Sequence, residues 1–306
     1  MHKIIKVLGT LTSFKAPLML TARLCSLIGF RLTRSASPSR PRSACSETLL
    51  RPSNFYSSGQ FLSFARIMSS ATSAVVTNGD PRPTKVFFFD IDNCLYPKST
   101  KVHDLMADLI DKYFQKHLNL PQDEAVRLHN EYYQTYGLAI EGLVRHHKID
   151  PLAYNSQVDD ALPLEGIIKP RPELKQLLED IDRSKVHLWL FTNAYVNHAK
   201  RVVRLLGIED KFDGITYCDY SSVPFVCKPH KDAYVKAMRE AGVEAWDDCY
   251  FVDDSYNNCV KAQELGWHTA HLVEDDAPIP NSKASEHQIR HLEDLRTAFP
   301  QFFKTT

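Results

Sequence analysis

The sequence predicts a doubly wound α/β fold: a Rossmann-like parallel sheet interrupted by an inserted α-helical cap. Two observations carry the prediction. Apolar runs of strand length at residues 86–89, 186–191 and 250–252 are rich in β-branched and aromatic residues, as suits strands covered on both faces. Each run also stops at a cluster of polar residues, and parallel sheets bind ligands at the carboxyl ends of their strands.

The elements follow in order. Val86 to Phe89 form the first strand, with Asp90 and Asp92 at its end. Between residues 97 and 168 helical patterns dominate. Val102, Leu105, Met106, Leu109, Ile110 and Tyr113 recur at spacings of three and four, an amphipathic helix by period. Pro121 opens a second helix, with Ala125, Leu128 and Tyr132 on one face. A third runs over residues 138–147. The run at 186–191 is another strand and leads to Thr192 and Asn193, with a helix from about Tyr195. Lys228 lies in Cys-Lys-Pro-His-Lys-Asp, just before a helix from about Lys231. Residues 250–252 lead into Asp253 and Asp254, followed by Ser255 and Asn258. Residues 267–272 read as a further strand and 286–299 as a closing helix by spacing.

Chemistry can be read from these strand ends. An aspartate such as Asp90 can attack an electrophile and become an ester, and a second carboxylate two residues on can act as acid and then base. Carboxylates this close repel unless a cation lies between them, and hard oxygen ligands suit Mg²⁺. Thr192 and Asn193 can donate hydrogen bonds to a phosphate oxygen, and a lysine is a point charge fitted to a phosphoryl group. Each feature also has an ordinary structural reading. Thr192 and Asn193 are common helix caps, acids before Ser255 suit a helix start, and Lys228 can be a solvated charge. Their joint occurrence at three strand ends, in this order, is what points to a site.

Taken together, the four segments resemble the haloacid dehalogenase superfamily of phosphohydrolases over residues 85 to about 272. The resemblance implies Asp90 as nucleophile, Asp92 as acid/base, Thr192 and Lys228 as phosphate clamps, and Asp253 with Asp254 as metal ligands. It adds the backbone carbonyl of Asp92 to the Mg²⁺ ligands. Asn93 and Cys94 stand where many members have Gly and Thr. Asp92 favours phosphoryl chemistry over carbon–halogen cleavage, because an alkoxide leaving group needs a proton and a halide does not. A helical cap implies small esters, since a lid must close and exclude water.

A second resemblance lies in Glu131 to Leu143, with Asp-Ile-Asp-Asn-Cys-Leu-Tyr and Val-Asp-Asp-Ser-Tyr-Asn-Asn: these look like the pyrimidine 5′-nucleotidase family of fungi and plants. It implies a pyrimidine nucleoside monophosphate as substrate. Tyr132 and Tyr136, at helical spacing, suit packing better than base contact. A sugar phosphate or lysophosphatidate phosphatase is the closest alternative, and a non-catalytic binding protein of the same fold is the alternative of another class.

Composition agrees. The 306 residues are 43% hydrophobic with zero formal charge, against attraction to nucleic-acid polymers or lipid, and no apolar run is long enough for membrane insertion. Seven scattered cysteines read as reduced thiols; Cys94, two residues past Asp92, is oxidant-sensitive only if its thiolate is accessible. His198 and His230 lie near the site segments without forming a metal pattern. Composition shifts near residue 80: Lys3, Lys6, Lys15, Arg23, Arg31, Arg34, Arg40 and Arg42 stand against Glu47 in a Ser-rich stretch. The expected organisation is a disordered or targeting leader over 1–80, a phosphohydrolase core over 81–96 and 169–306, and a cap over 97–168. The expected location is cytoplasmic, with the nucleus also open, or mitochondrial if residues 1–67 are a transit segment, Met68 being an alternative start.

Overall fold

The computed structural model describes residues 83–275 and 277–305; the leader, the transit segment and Met68 lie outside them. Apolar β1 (Val86–Phe89) is entirely buried and is followed by helices α1 (Val102–Leu118), α2 (Gln122–Tyr136), α3 (Ala139–His147), α4 (Pro151–Gln157), α5 (Leu164–Ile167) and α6 (Pro172–Asp180). Then come β2 (His187–Phe191), α7 (Val196–Leu206), β3 (Gly214–Thr216), α8 (Lys231–Ala241), β4 (Cys249–Asp253), α9 (Tyr256–Glu264), β5 (His268–Leu272), β6 (His287–Ile289) and α10 (Leu295–Ala298).

The strand order is β3-β2-β1-β4-β5-β6, every pair parallel. β1 is therefore central, and the chain reverses its direction of travel across the sheet on either side of it. Alternation along β1 sends Phe87 and Phe89 into one apolar layer, with α6, α7 and the C-terminal Phe299 and Phe302. Val86 and Phe88 enter the opposite layer with Ala233, Tyr234 and Trp267. Burying each of these rings contributes about 1.5–3 kcal/mol, so both faces hold β1 in register.

A third apolar cluster joins α1–α4 through Ile110, Phe114, Ala125, Ile140, Leu143 and Tyr154 to Cys218, Tyr220, Phe225 and Cys227 of the loop after β3. Val102, Leu162, Leu164 and Ile168 belong instead to the sheet's own layer. Among the described residues no helix is long and apolar enough to cross a membrane.

The expected closing helix over 286–299 is corrected. His287–Ile289 pairs with β5 as the edge strand β6, and helix is confined to a short 3₁₀ turn at Leu292–Asp294 and to α10. Val273 N donates to Ile289 O at 2.9 Å; pairing with an open sheet edge outweighs a helical spacing that only the second half of the segment realises.

Candidate active site

β1, β2 and β4 are adjacent and parallel, so the residues that follow them meet at one edge. A cavity of about 640 Å³ opens there, and Asp90, Asp92, Thr192, Asn193, Lys228, Asp253 and Asp254 all line it. The structure thus brings together every site residue expected from sequence.

At the centre Lys228 is almost wholly buried. Its Nζ donates to Asp90 Oδ1, to Asp253 Oδ2 and to the Phe191 carbonyl, each at 2.7 Å. Burial works against a charged lysine, but Asp253 and Asp90 outweigh it and hold the ammonium protonated. Asp90 is buried too. Burial and the carboxylates of Asp253, Asp254 and Asp92 push it well above the usual range, with only Lys228 opposing. Asp253 is further fixed by Ser255 N at 2.7 Å and by Asn258 Nδ2 at 3.0 and 3.2 Å. Lys98 lies 3.0 Å from Asp254 Oδ2; even so, burial and Asp253 push Asp254 up to about 6.

Carboxylate oxygens of Asp90, Asp253 and Asp254 lie within 4.8 Å of one another. Three carboxylates face the ammoniums of Lys228 and Lys98, an excess of negative charge in a desolvated place. An oxygen-only set of this kind fits a small divalent cation. The Asp92 side chain lies outside this cluster and is engaged elsewhere. Its Oδ1 accepts from Tyr96 Oη at 2.6 Å and pairs with His198 Nε2 at 2.7 Å. Burial would raise Asp92, but His198 and then the Tyr96 hydroxyl outweigh it and hold the carboxyl below its ordinary value.

Asn193 and Thr192 are used differently from each other. Asn193 Nδ2 donates to the Lys228 carbonyl at 2.8 Å, and its Oδ1 accepts from Lys228 N at 2.7 Å. The amide therefore clasps the lysine's main chain, where the sequence suggested a phosphate donor. Thr192 Oγ1 accepts from Ala194 N at 3.0 Å, which leaves its hydroxyl hydrogen to donate. Cys94 is buried, and burial with Asp90 pushes its thiol well up, so it is held protonated and shielded.

Three groups of the site have no role assigned from sequence, although His198 stands near the site segments there. Tyr96 was visible only as the end of a motif. His198, the third residue of α7, is fully buried yet faces a carboxylate 106 positions earlier. Asp159, a buried carboxyl lining the cavity, is pushed by burial up to about 6. A histidine shortly after a strand end that carries Thr-Asn is the one signal that could have marked His198.

A family model for haloacid dehalogenase-like hydrolases matches residues 84–266. The chain belongs to that family. Hydrolases of this kind generally use Mg²⁺. The chain is 45% identical over 206 residues to phosphate metabolism protein 8 of Saccharomyces cerevisiae, covering 64% of each protein; it therefore spans just under two thirds of that relative's length. A hydrolase from Pseudomonas syringae shares the haloacid dehalogenase-like fold at a TM-score of 0.52, with 19% identity over 72% of this chain and 100% of that one.

Proposed function

We propose that the protein is a Mg²⁺-dependent phosphatase that removes phosphate from nucleoside 5′-monophosphates, pyrimidine ones foremost, through a phosphorylated Asp90. The observation that carries this reading is the double grip of Lys228 on Asp90 and Asp253, both at 2.7 Å, on the cavity wall.

Asp90 Oδ2 accepts no hydrogen bond from the described residues, and it is the oxygen that attacks phosphorus. The ester P–O bond breaks as Asp92 gives a proton to the departing alkoxide. Water then attacks the acyl phosphate, Asp92 takes its proton, the P–O bond to Asp90 breaks and inorganic phosphate leaves. A carboxyl held low at rest suits the second, base step; the approach of a phosphate dianion is what raises it for the first. Lys228 and the Thr192 hydroxyl offset charge on the phosphoryl oxygens. Asp90, Asp253, Asp254 and the Asp92 carbonyl would hold Mg²⁺, which supplies positive charge at those same oxygens.

The substrate reading is supported by the cavity, whose volume far exceeds a phosphate and whose wall includes Tyr133, Gln134, Thr135 and Tyr136. Tyr133 is half exposed, so a ring face is free to stack on a base. Tyr132 is buried beneath and bonds His147 at 2.8 Å, a packing role. The helices over 97–168 then act as the cap. The yeast relative's name points to phosphate metabolism. Free, buried cysteines suit a reducing compartment such as the cytoplasm.

Phosphate release by the full chain with Mg²⁺ is the test, over nucleoside monophosphates, sugar phosphates and lysophosphatidate, with Asp90→Asn beside it. The expected result is preference for UMP or CMP and loss of turnover in the variant. Preference for another ester would overturn the substrate claim. Absence of release from every ester would overturn the enzymatic reading in favour of a binding protein.

A further inference from the structure

We propose that His198 and Tyr96 are positioning residues for Asp92: together they lock its carboxylate through Oδ1, so that Oδ2 alone exchanges the proton with the leaving group. This rests on the phosphatase reading above.

Two donors converge on one oxygen. Tyr96 Oη and His198 Nε2 lie 2.6 and 2.7 Å from Asp92 Oδ1, and no described residue donates to Oδ2. A carboxylate oxygen only accepts, so Nε2 carries the hydrogen. The donors arrive from separate directions. Tyr96 comes from the turn closed by Leu95 N on the Ile91 carbonyl at 3.0 Å; His198 comes from the first turn of α7, beyond β2. A carboxylate gripped from both the β1 and the β2 side loses its χ freedom, and proton transfer needs its acid held within hydrogen-bond geometry.

Packing alone does not account for His198. Its side chain is fully buried, and its Nδ1 has no hydrogen-bond partner. A half-satisfied imidazole is less favourable there than a hydrocarbon of the same size. Among the described residues the ring's one hydrogen-bond partner is Asp92, and the same holds for the buried Tyr96 hydroxyl. Both side chains are therefore committed to the orientation of one carboxyl group. Asp92 keeps 28% of its side chain exposed while its two partners are covered, as expected of a group held from behind and presented to a cavity.

The test compares kcat/KM, which reports the half-reaction up to departure of the leaving group, for UMP and for p-nitrophenyl phosphate. The first needs a proton on departure and the second does not. Positioning predicts that His198→Leu and Tyr96→Phe lower kcat/KM for UMP about 10- to 100-fold, a part of the roughly 10²- to 10⁴-fold that general acid catalysis supplies in full. With p-nitrophenyl phosphate the loss stays within about threefold, and His198→Gln, which restores a donor, recovers part of the loss on UMP. In an Asp92→Asn background, adding His198→Leu should cost nothing more. Should His198→Leu fail to fold, Tyr96→Phe, which removes a single oxygen, decides the matter. Equal losses on both esters, or unchanged UMP hydrolysis in Tyr96→Phe, would overturn the assignment while leaving the phosphatase reading intact. Phosphate release that survives Asp90→Asn, or no release by the unmodified protein, would instead remove that reading and this inference with it.

Discussion

Asn193 offers a decision between two roles for one amide. It clasps the Lys228 main chain through bonds of 2.8 and 2.7 Å. Asn193→Ala removes both, and at about 0.5–1.5 kcal/mol net for each hydrogen bond the loss of stability should total about 1–3 kcal/mol. The loop it releases carries an ammonium that must stay 2.7 Å from Asp90, and misplacement by about 1 Å can lower turnover on the order of 10²-fold. Asn193→Asp is harsher in kind. It keeps an acceptor for Lys228 N but sets a carboxylate oxygen against the Lys228 carbonyl, which cannot donate. Urea unfolding together with phosphate release separates the roles. The clasp predicts lower stability and lower kcat in both variants, with Asp worse than Ala. Unchanged unfolding free energy with a raised KM would refute it and return Asn193 to direct phosphate contact.

Other outcomes follow from the geometry. A Cβ at Gly142 would lie 2.1 Å from Tyr132 Cγ and 2.2 Å from Cδ2, so Gly142→Ala should destabilise by about 1–3 kcal/mol in chemical unfolding. Asp159 is held up to about 6 by burial, so the folded state retains its proton longer than the unfolded chain. Its contribution is therefore most favourable below the ordinary carboxyl value and is lost as pH rises from about 4 to 6. Asp159→Asn should stabilise by up to about 3 kcal/mol at pH 7 and by almost nothing near pH 3.5, seen in unfolding curves at both values. Chelation should abolish phosphate release and added Mg²⁺ restore it, and calorimetry should show weaker Mg²⁺ binding by Asp254→Asn.

The legible parts of the fold are those with an uninterrupted local signal. β1, β2 and β4 announce themselves as apolar runs, and α1 to α3 by their period. β3 is only Gly214–Thr216, too short to stand out, and it exists because Trp189, Leu190 and Phe191 offer it a partner. β6 was hidden for the same reason, since an edge strand is defined by its neighbour. The candidate site follows the same division. Acids at strand ends are visible in sequence, but that Asn193 grips Lys228, or that His198 reaches Asp92 across 106 residues, is set by the order of strands in the sheet, which no local pattern states.

The central place of β1 also fixes a schedule for the growing chain. Phe89 is in register with Leu190 on one side and with Val252 on the other. Translation at about 5–20 residues per second leaves roughly 8–33 s between synthesis of Phe89 and of its second neighbour. Throughout that interval Val-Phe-Phe-Phe has at least one open edge and one uncovered face. Expression at lower temperature or with holdase chaperones should therefore raise the soluble yield chiefly by guarding this one segment, ahead of any gain in the stability of the finished fold.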